Sequence, residues 1–197
     1  GGLTSVGGKA IVGNGMSDFN VLDPAIRKVP DFPKPGILFY DITGILARPE
    51  AFQYCIDRME ERYRESDLEA IGAVEARGFI FAAPLAIRLG LPLVLVRKKG
   101  KLPGETLERT FQLEYGTDVV ELHPQDVPSG GRVLLVDDLI ATGGTIKAAA
   151  ELVEDAGGKV AEIFSVVALP FLPFEKALAD YSVHYLISYS SESSEDR

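Results

Sequence analysis

Apolar positions along the chain fall into two alternating kinds of run. Phe52, Ile56, Met59 and Tyr63 recur at helical spacing behind Pro49, a residue suited to a first helical position, which predicts a helix over residues 49–64. Ala70–Val74 is a short unbroken apolar run and reads as a buried strand, residues 78–89 as a mostly apolar helix, and Leu93–Val96 as a second strand. After a long intervening stretch the pattern returns: Val133–Val136 as strand, Thr145–Ala156 as helix, Val160–Val167 as strand. Ile146, Ala149, Ala150 and Val153 give the second helix its apolar face, and Gly157 with Gly158 supplies its stop. Two βαβ units predict an α/β fold, with a mainly parallel sheet, helices on both faces, right-handed crossovers and a site at the carboxyl ends of the strands.

No apolar run reaches the roughly 18 to 20 residues of a membrane span; the densest, Leu89–Val96, is short and contains Pro92. The first fifteen residues, GGLTSVGGKAIVGNG, are glycine-rich and lack the regions of a signal peptide, so they are expected to be a flexible arm or expression scar outside the fold. One domain over residues 16–189 is the simplest count, with 190–197 a polar, disordered tail. Across 197 residues, 20 Lys+Arg face 29 Asp+Glu for a net charge of -9, which argues against a nucleic-acid binder but leaves room for a local anion site. A lone cysteine, Cys55, makes no intramolecular disulfide, and the distant His123 and His184 cannot build a zinc cage; a cytoplasmic setting is the expectation. Cys55 reads as a small buried hydrophobe, and both histidines as surface or packing residues.

The chemistry concentrates in VLLVDDLIATGGT, residues 133–145. A buried strand runs into two adjacent carboxylates, Asp137 and Asp138, and the loop Ala141-Thr142-Gly143-Gly144-Thr145 then opens a helix. Glycines let backbone N–H groups approach an anion, the threonines add hydroxyl donors, and the helix start adds positive potential, so this loop suits a phosphate. Between strand and loop, the carboxylates suit ribose hydroxyls or a metal-bound water. Nucleotide hydrolysis and hydride transfer lose ground. Gly7-Gly8-Lys9 lacks the spacing of a P-loop, and Gly13-x-Gly15 is followed by Asp18 where a dinucleotide fingerprint needs glycine.

Those thirteen residues resemble the phosphoribosyl diphosphate (PRPP) motif of the type I phosphoribosyltransferases. Further segments, in order, resemble the adenine phosphoribosyltransferase family: DFPKPGILFYDITG (31–44) its adenine-binding segment, EARGF (75–79) its pyrophosphate loop, RKKGKLPG (97–104) the basic start of its mobile loop, and LEYG (113–116) that loop's end. The resemblance implies a single-domain type I phosphoribosyltransferase-like fold with a small hood, formed by about residues 17–45 and 170–189. It implies transfer of the phosphoribosyl group of PRPP to adenine, giving AMP and pyrophosphate, with Mg2+ brought mainly by PRPP and water near Asp137 and Asp138, in a homodimer.

Residue by residue, the resemblance implies that Ala141, Thr142, Gly143, Gly144 and Thr145 cradle the 5′-phosphate while Asp137 and Asp138 hold the ribose. Arg77 would face the pyrophosphate, next to a non-proline cis peptide near Glu75-Ala76. Arg97, Lys98, Lys99 and Lys101, the densest basic cluster of the chain, suit a polyphosphate, some of them across a dimer interface. Phe39 would stack on adenine while the backbones of Leu38 and Tyr40 read its edge; Tyr40 departs from the arginine many relatives carry there. Gly100, Gly104, Glu114 and Tyr115 would belong to the lid, with Glu114 handling the adenine proton and Arg77 and Lys101 assisting catalysis. Two alternatives stand beside this reading. A 6-oxopurine transferase usually offers a hood lysine, which Tyr181–Tyr189 lacks; a non-catalytic PRPP-binding regulator normally carries an added DNA-binding module.

Overall fold

The computed structural model describes residues 11–13, 16–113 and 115–190. Its elements are β1 (Ile11–Gly13), α1 (Met16–Leu22), β2 (Arg27–Pro30), β3 (Leu38–Asp41), α2 (Thr43–Leu46), α3 (Pro49–Tyr63), β4 (Ala70–Val74), α4 (Arg77–Leu89) and β5 (Leu93–Lys98). There follow β6 (Leu107–Gln112), β7 (Thr117–Leu122), β8 (Arg132–Ile140), α5 (Gly144–Asp155), β9 (Lys159–Ala168), α6 (Phe174–Ala177) and β10 (Val183–Ser188). Eight strands form one sheet in the order β1-β10-β9-β8-β4-β5-β7-β6, parallel from β1 through β5 and antiparallel beyond it.

Alternation along the buried strands sends side chains to two cores. Ile71, Ala73, Leu134, Val136 and Phe164 pack with Met59, Phe81 and Leu85 of α3 and α4 on one face. Ala70, Val74, Val133, Leu135 and Ile163 pack with Ile146, Ala149 and Val153 of α5 on the other. Both expected βαβ units are present, with helices on both faces. Cys55 is fully buried in the first core, and burial pushes its thiol up to about 12, which keeps it in the unreactive form. His184 is buried and stacked on Phe164, and desolvation, then the Arg62 charge, brings its imidazole down to about 4. His123 Nδ1 lies 3.1 Å from the Glu105 carbonyl oxygen.

Three boundaries differ from expectation. Ile11–Gly13, set outside the fold as part of the arm, pairs with β10 as the sheet's edge strand. Residues 183–188, assigned to the hood, instead pair in parallel with β9. Their apolar side chains are buried toward both faces, Val183 in one core and Leu186 in the other, which is the pattern of a strand inside a covered sheet. The hood therefore has its own sheet only in the antiparallel pair β2–β3, bound to the main body where Tyr40 stacks on Tyr189 at 4.1 Å and the Tyr189 hydroxyl donates to Asp23 at 2.6 Å. The third difference is the hairpin β6–β7, which fills much of the stretch between the two units. Residues 191–197 and 1–10 lie outside the described residues.

Sheet order places the site. From β4 the chain moves to β5 on one side, but β8, β9 and β10 build outward on the other, so β4 and β8 flank the switch in winding direction. Loops leaving the carboxyl ends of two such strands diverge and open a crevice between them.

Candidate active site

Asp137 and Asp138 stand on a strand that is longer than the apolar run 133–136 suggested. β8 continues to Ile140, because β9 offers ladder partners that far: Asp137 pairs with Ser165, Leu139 with Val167 and Ile140 with Ala168. Consecutive strand residues point to opposite sides, so the acids serve different neighbourhoods. Asp137 lines a depression of roughly 130 Å³ with residues 139–146; Asp138 is buried and lines a second with Phe39 and Arg77. Desolvation and the adjoining Asp138 charge push the Asp137 carboxyl well above the usual range, although it accepts the Asp138 N–H at 2.8 Å.

Beyond Ile140 the loop turns into α5 at Gly144, one residue ahead of expectation. Gly143 makes the turn with φ +84, and a Cβ there would meet Leu178 and Phe174 at 3.3 Å. Both the backbone conformation and the space call for glycine. The first peptide N–H groups of the twelve-residue α5 thus border the depression, with the helix's positive end behind them.

Across the crevice, the chain leaves β4 through a cis Glu75–Ala76 peptide, where the resemblance placed one, and α4 starts at Arg77. Gly78 lets α4 approach β8 closely: a Cβ would sit 2.9 Å from the Val136 carbonyl oxygen and 3.3 Å from the Asp137 Cα. That approach brings Arg77 Nε to Asp138 Oδ2 at 2.5 Å. The hydrogen bond, against desolvation and aided by the Asp138 charge, raises the guanidinium further above its ordinary value. More than half of the Arg77 side chain stays exposed, at 53%, so its charge faces the crevice mouth as well as the acid.

Acids that the linear sequence hides are interleaved with the basic cluster. Arg97 Nε donates to Glu75 at 2.9 Å, Lys98 Nζ lies 3.8 Å from Asp118, and Lys99 Nζ 3.1 Å from Glu108. Lys101 is exposed, and its N–H donates to Glu121 at 3.1 Å. Sequence reading passed over Glu75, Asp118 and Glu121 as partners: Glu75 meets Arg97 through the parallel β4–β5 register, and the antiparallel β5–β7 and β6–β7 registers that bring in Asp118 and Glu121 cannot be seen before the hairpin is recognised. Alternation through Leu107, Arg109 and Phe111, with Gly116 at φ +84 in the turn, was the available signal. Glu75, Arg97, Lys98, Phe111, Asp118 and Thr145 border a depression of roughly 180 Å³, which joins the basic strand end to the glycine loop through Thr145. Gly100 and Gly104, at φ +87 and +75, shape the turn that follows.

On the hood, β3 alternates. Leu38 and Tyr40 are buried; Phe39 faces outward, edge-on to Phe32 at 5.1 Å, and lines a depression of roughly 80 Å³ with Thr43, Arg77, Asp138 and Leu139. The Tyr40 ring stacks on Tyr189. Asp41 beside it is held below the usual carboxylate range by the Thr43 hydroxyl, against desolvation, with the Thr43 N–H and Arg27 helping. Tyr115 is 79% exposed at the hairpin tip, with Lys34 Nζ 5.7 Å from its ring centre. Glu114 lies outside the described residues.

Residues 41–187 match the phosphoribosyl transferase domain family. The chain is 58% identical to the adenine phosphoribosyltransferase of Treponema denticola over 87% of this chain and 90% of that protein, and 54% identical to that of Treponema pallidum over 88% and 91%. Among solved structures, the adenine phosphoribosyltransferase of Thermoanaerobacter pseudethanolicus superposes with a TM-score of 0.82 at 48% identity, covering 87% of this chain and 99% of that one. The Saccharomyces cerevisiae enzyme, solved with adenine and an iminoaltritol bisphosphate, superposes at 0.79 with 41% identity, covering 85% and 97%. A parallel sheet with its acids, glycine loop and basic turn gathered at one winding switch, together with identities of this size over nearly the whole fold, shows that the chain belongs to the phosphoribosyltransferase family and, within it, to the adenine phosphoribosyltransferases.

Proposed function

We propose that this protein transfers the 5-phosphoribosyl group of PRPP to adenine, releasing AMP and pyrophosphate, as a purine-salvage enzyme. The observation that carries this is the adjacency of two depressions through one acid pair: Asp137 borders the phosphate loop, and Asp138 borders Phe39 and Arg77. A ribose seated on Asp137 and Asp138 would have its 5′-phosphate at the peptide N–H groups of residues 141–145 and its C1′ turned toward the base. Phe39 stacks on adenine, and the Leu38 and Tyr40 backbones read its edge. Arg77, Arg97, Lys98 and Lys101 receive the pyrophosphate as its bond to C1′ breaks and the bond from adenine N9 forms. Positive charge gathers on the sugar at that moment, so the hairpin with Tyr115 at its tip closes as a lid that excludes water, based on the turn at Gly100 and Gly104, and Glu114 takes up the N9 proton.

The Mg2+ that the family's chemistry implies fits the same acid pair. Desolvation, and then the Asp138 charge, disfavour an ionised Asp137, and a nearby cation would offset both. Among the described residues no cluster of three or more acid, histidine or cysteine side chains could hold a metal, so PRPP oxygens and water would supply most ligands. Bound there, the ion neutralises phosphate charge. The α4 residues Ile80 and Ile87 are exposed, the latter at 83%, and suit a homodimer interface beside Arg77. Among the described residues no helix is long and apolar enough to cross a membrane, and the enzyme is proposed to work in the cytoplasm.

Phe39→Ala tests the base site. The adenine KM should rise on the order of tenfold with the PRPP KM nearly unchanged, from the loss of one stacking face; an unaltered adenine KM would sink the stacking role.

A further inference from the structure

Glu121 is a charged residue in an apolar stretch. It sits on β7 between Val120 and Leu122, all three of them buried, with only 3% of Glu121 exposed. Val120 and Leu122 enter the core beside α5, so Glu121 projects from the opposite side of the strand. There its Oε1 accepts the N–H groups of Lys101 at 3.1 Å and Leu102 at 2.9 Å, and its Oε2 accepts the Thr106 hydroxyl at 3.3 Å. Desolvation alone would push the carboxyl up, but the Leu102 and Gly100 N–H groups, the Thr106 hydroxyl and the Lys101 N–H together bring it below its ordinary value.

A buried carboxylate is costly unless hydrogen-bonded, and this one spends its hydrogen-bonding capacity on one segment, residues 100–106. That segment carries Lys101 and begins and ends its tight course at Gly100 and Gly104, both at positive φ, where the backbone is most free to take other shapes. The same turn connects back to the crevice: Arg97 Nη1 reaches the Lys101 carbonyl oxygen at 3.5 Å, Arg97 Nε holds Glu75, and Glu75 stands two residues before Arg77.

We propose that Glu121 is a positioning residue for pyrophosphate capture: its carboxylate gathers the backbone of residues 100–106 and so fixes where Lys101, and through it Arg97, meet the polyphosphate. The inference rests on the PRPP reading above for the role of those cations. Glu121 itself touches no substrate, and it acts by removing the freedom of a glycine-flanked turn that would otherwise have to be ordered on each binding event.

The test uses Glu121→Ala, Glu121→Gln, Lys101→Ala and the Glu121→Ala/Lys101→Ala double variant, each assayed well below its melting temperature, with amide exchange read at residues 100–102. Glu121→Ala should raise the PRPP KM on the order of ten- to a hundredfold with the adenine KM within about twofold, and speed exchange at those amides. Glu121→Gln keeps an oxygen for the Lys101 and Leu102 N–H groups and should fall between Ala and the parent. In the Lys101→Ala background, Glu121→Ala should add much less than it does alone. A raised PRPP KM in Lys101→Ala with a normal one in folded Glu121→Ala overturns the positioning role and leaves the site assignment standing. Equal rises in both substrates' KM would make Glu121 merely structural and overturn it too. A normal PRPP KM in Lys101→Ala overturns the cation assignment and the proposal with it.

Discussion

Two neighbouring carboxylates at the end of a buried strand repel each other, and a chain selected for stability alone would not keep both. Asp137 shows the consequence, its carboxyl pushed up first by desolvation and then by the Asp138 charge. A carboxyl raised in the folded state favours folding while it is protonated; that contribution is lost as pH rises from the ordinary carboxylate range through the raised value. Once Asp137 has ionised, its place beside Asp138 is a net cost to folding. Asp137→Asn keeps an oxygen for the Asp138 N–H and removes the repulsion, so its melting temperature should exceed the parent's by roughly 2–5 °C at pH 7.5, with the gap closing in acid. PRPP binding should weaken on the order of ten- to a hundredfold, because a ribose hydroxyl loses a charged acceptor. A variant no more stable than the parent at pH 7.5 would contradict the electrostatic account; one that binds PRPP normally would contradict the ribose role.

Elements were legible where their periodicity was local. The helix at 49–63, the strand at 70–74 and the stop at Gly157 and Gly158 follow from spacing and turn chemistry close in sequence. What escaped depended on a partner far along the chain. β8 runs through both acids because β9 continues beside it, and β10 joins the sheet because β9 leaves an edge open to it. The glycine loop was legible as an element because glycine, acid pair and helix start are contiguous. Its geometry adds why Gly143 is glycine: φ +84 and side chains of Leu178 and Phe174 at 3.3 Å from any Cβ. Gly143→Ala should therefore cost roughly 1–3 kcal/mol of stability and raise the PRPP KM more than the adenine KM. Unchanged melting and unchanged PRPP KM together would show that the turn tolerates a side chain and that the loop's shape is not what binds phosphate.

For the whole molecule, the sheet order turns separate motifs into one site. EARGF follows β4, VLLVDDLIATGGT is β8 and its loop, and the hairpin β6–β7 and the hood close in from opposite flanks. Function class was readable from these motifs before their arrangement, because each is a contiguous segment whose chemistry is local. Their charge balance was not, since Glu75, Asp118 and Glu121 meet the basic residues only through sheet register. Base choice is the least local property of all. In the proposed base site it depends on how the hood sets Phe39 against Arg77 and Asp138, which line one depression across a tertiary contact. The most direct measurement is product formation from PRPP and Mg2+ with adenine, hypoxanthine and guanine supplied separately: AMP from adenine, with little product from either oxopurine, is the predicted result, and nucleotide formed from an oxopurine in preference to adenine, or from none of the three while PRPP still binds, would contradict it.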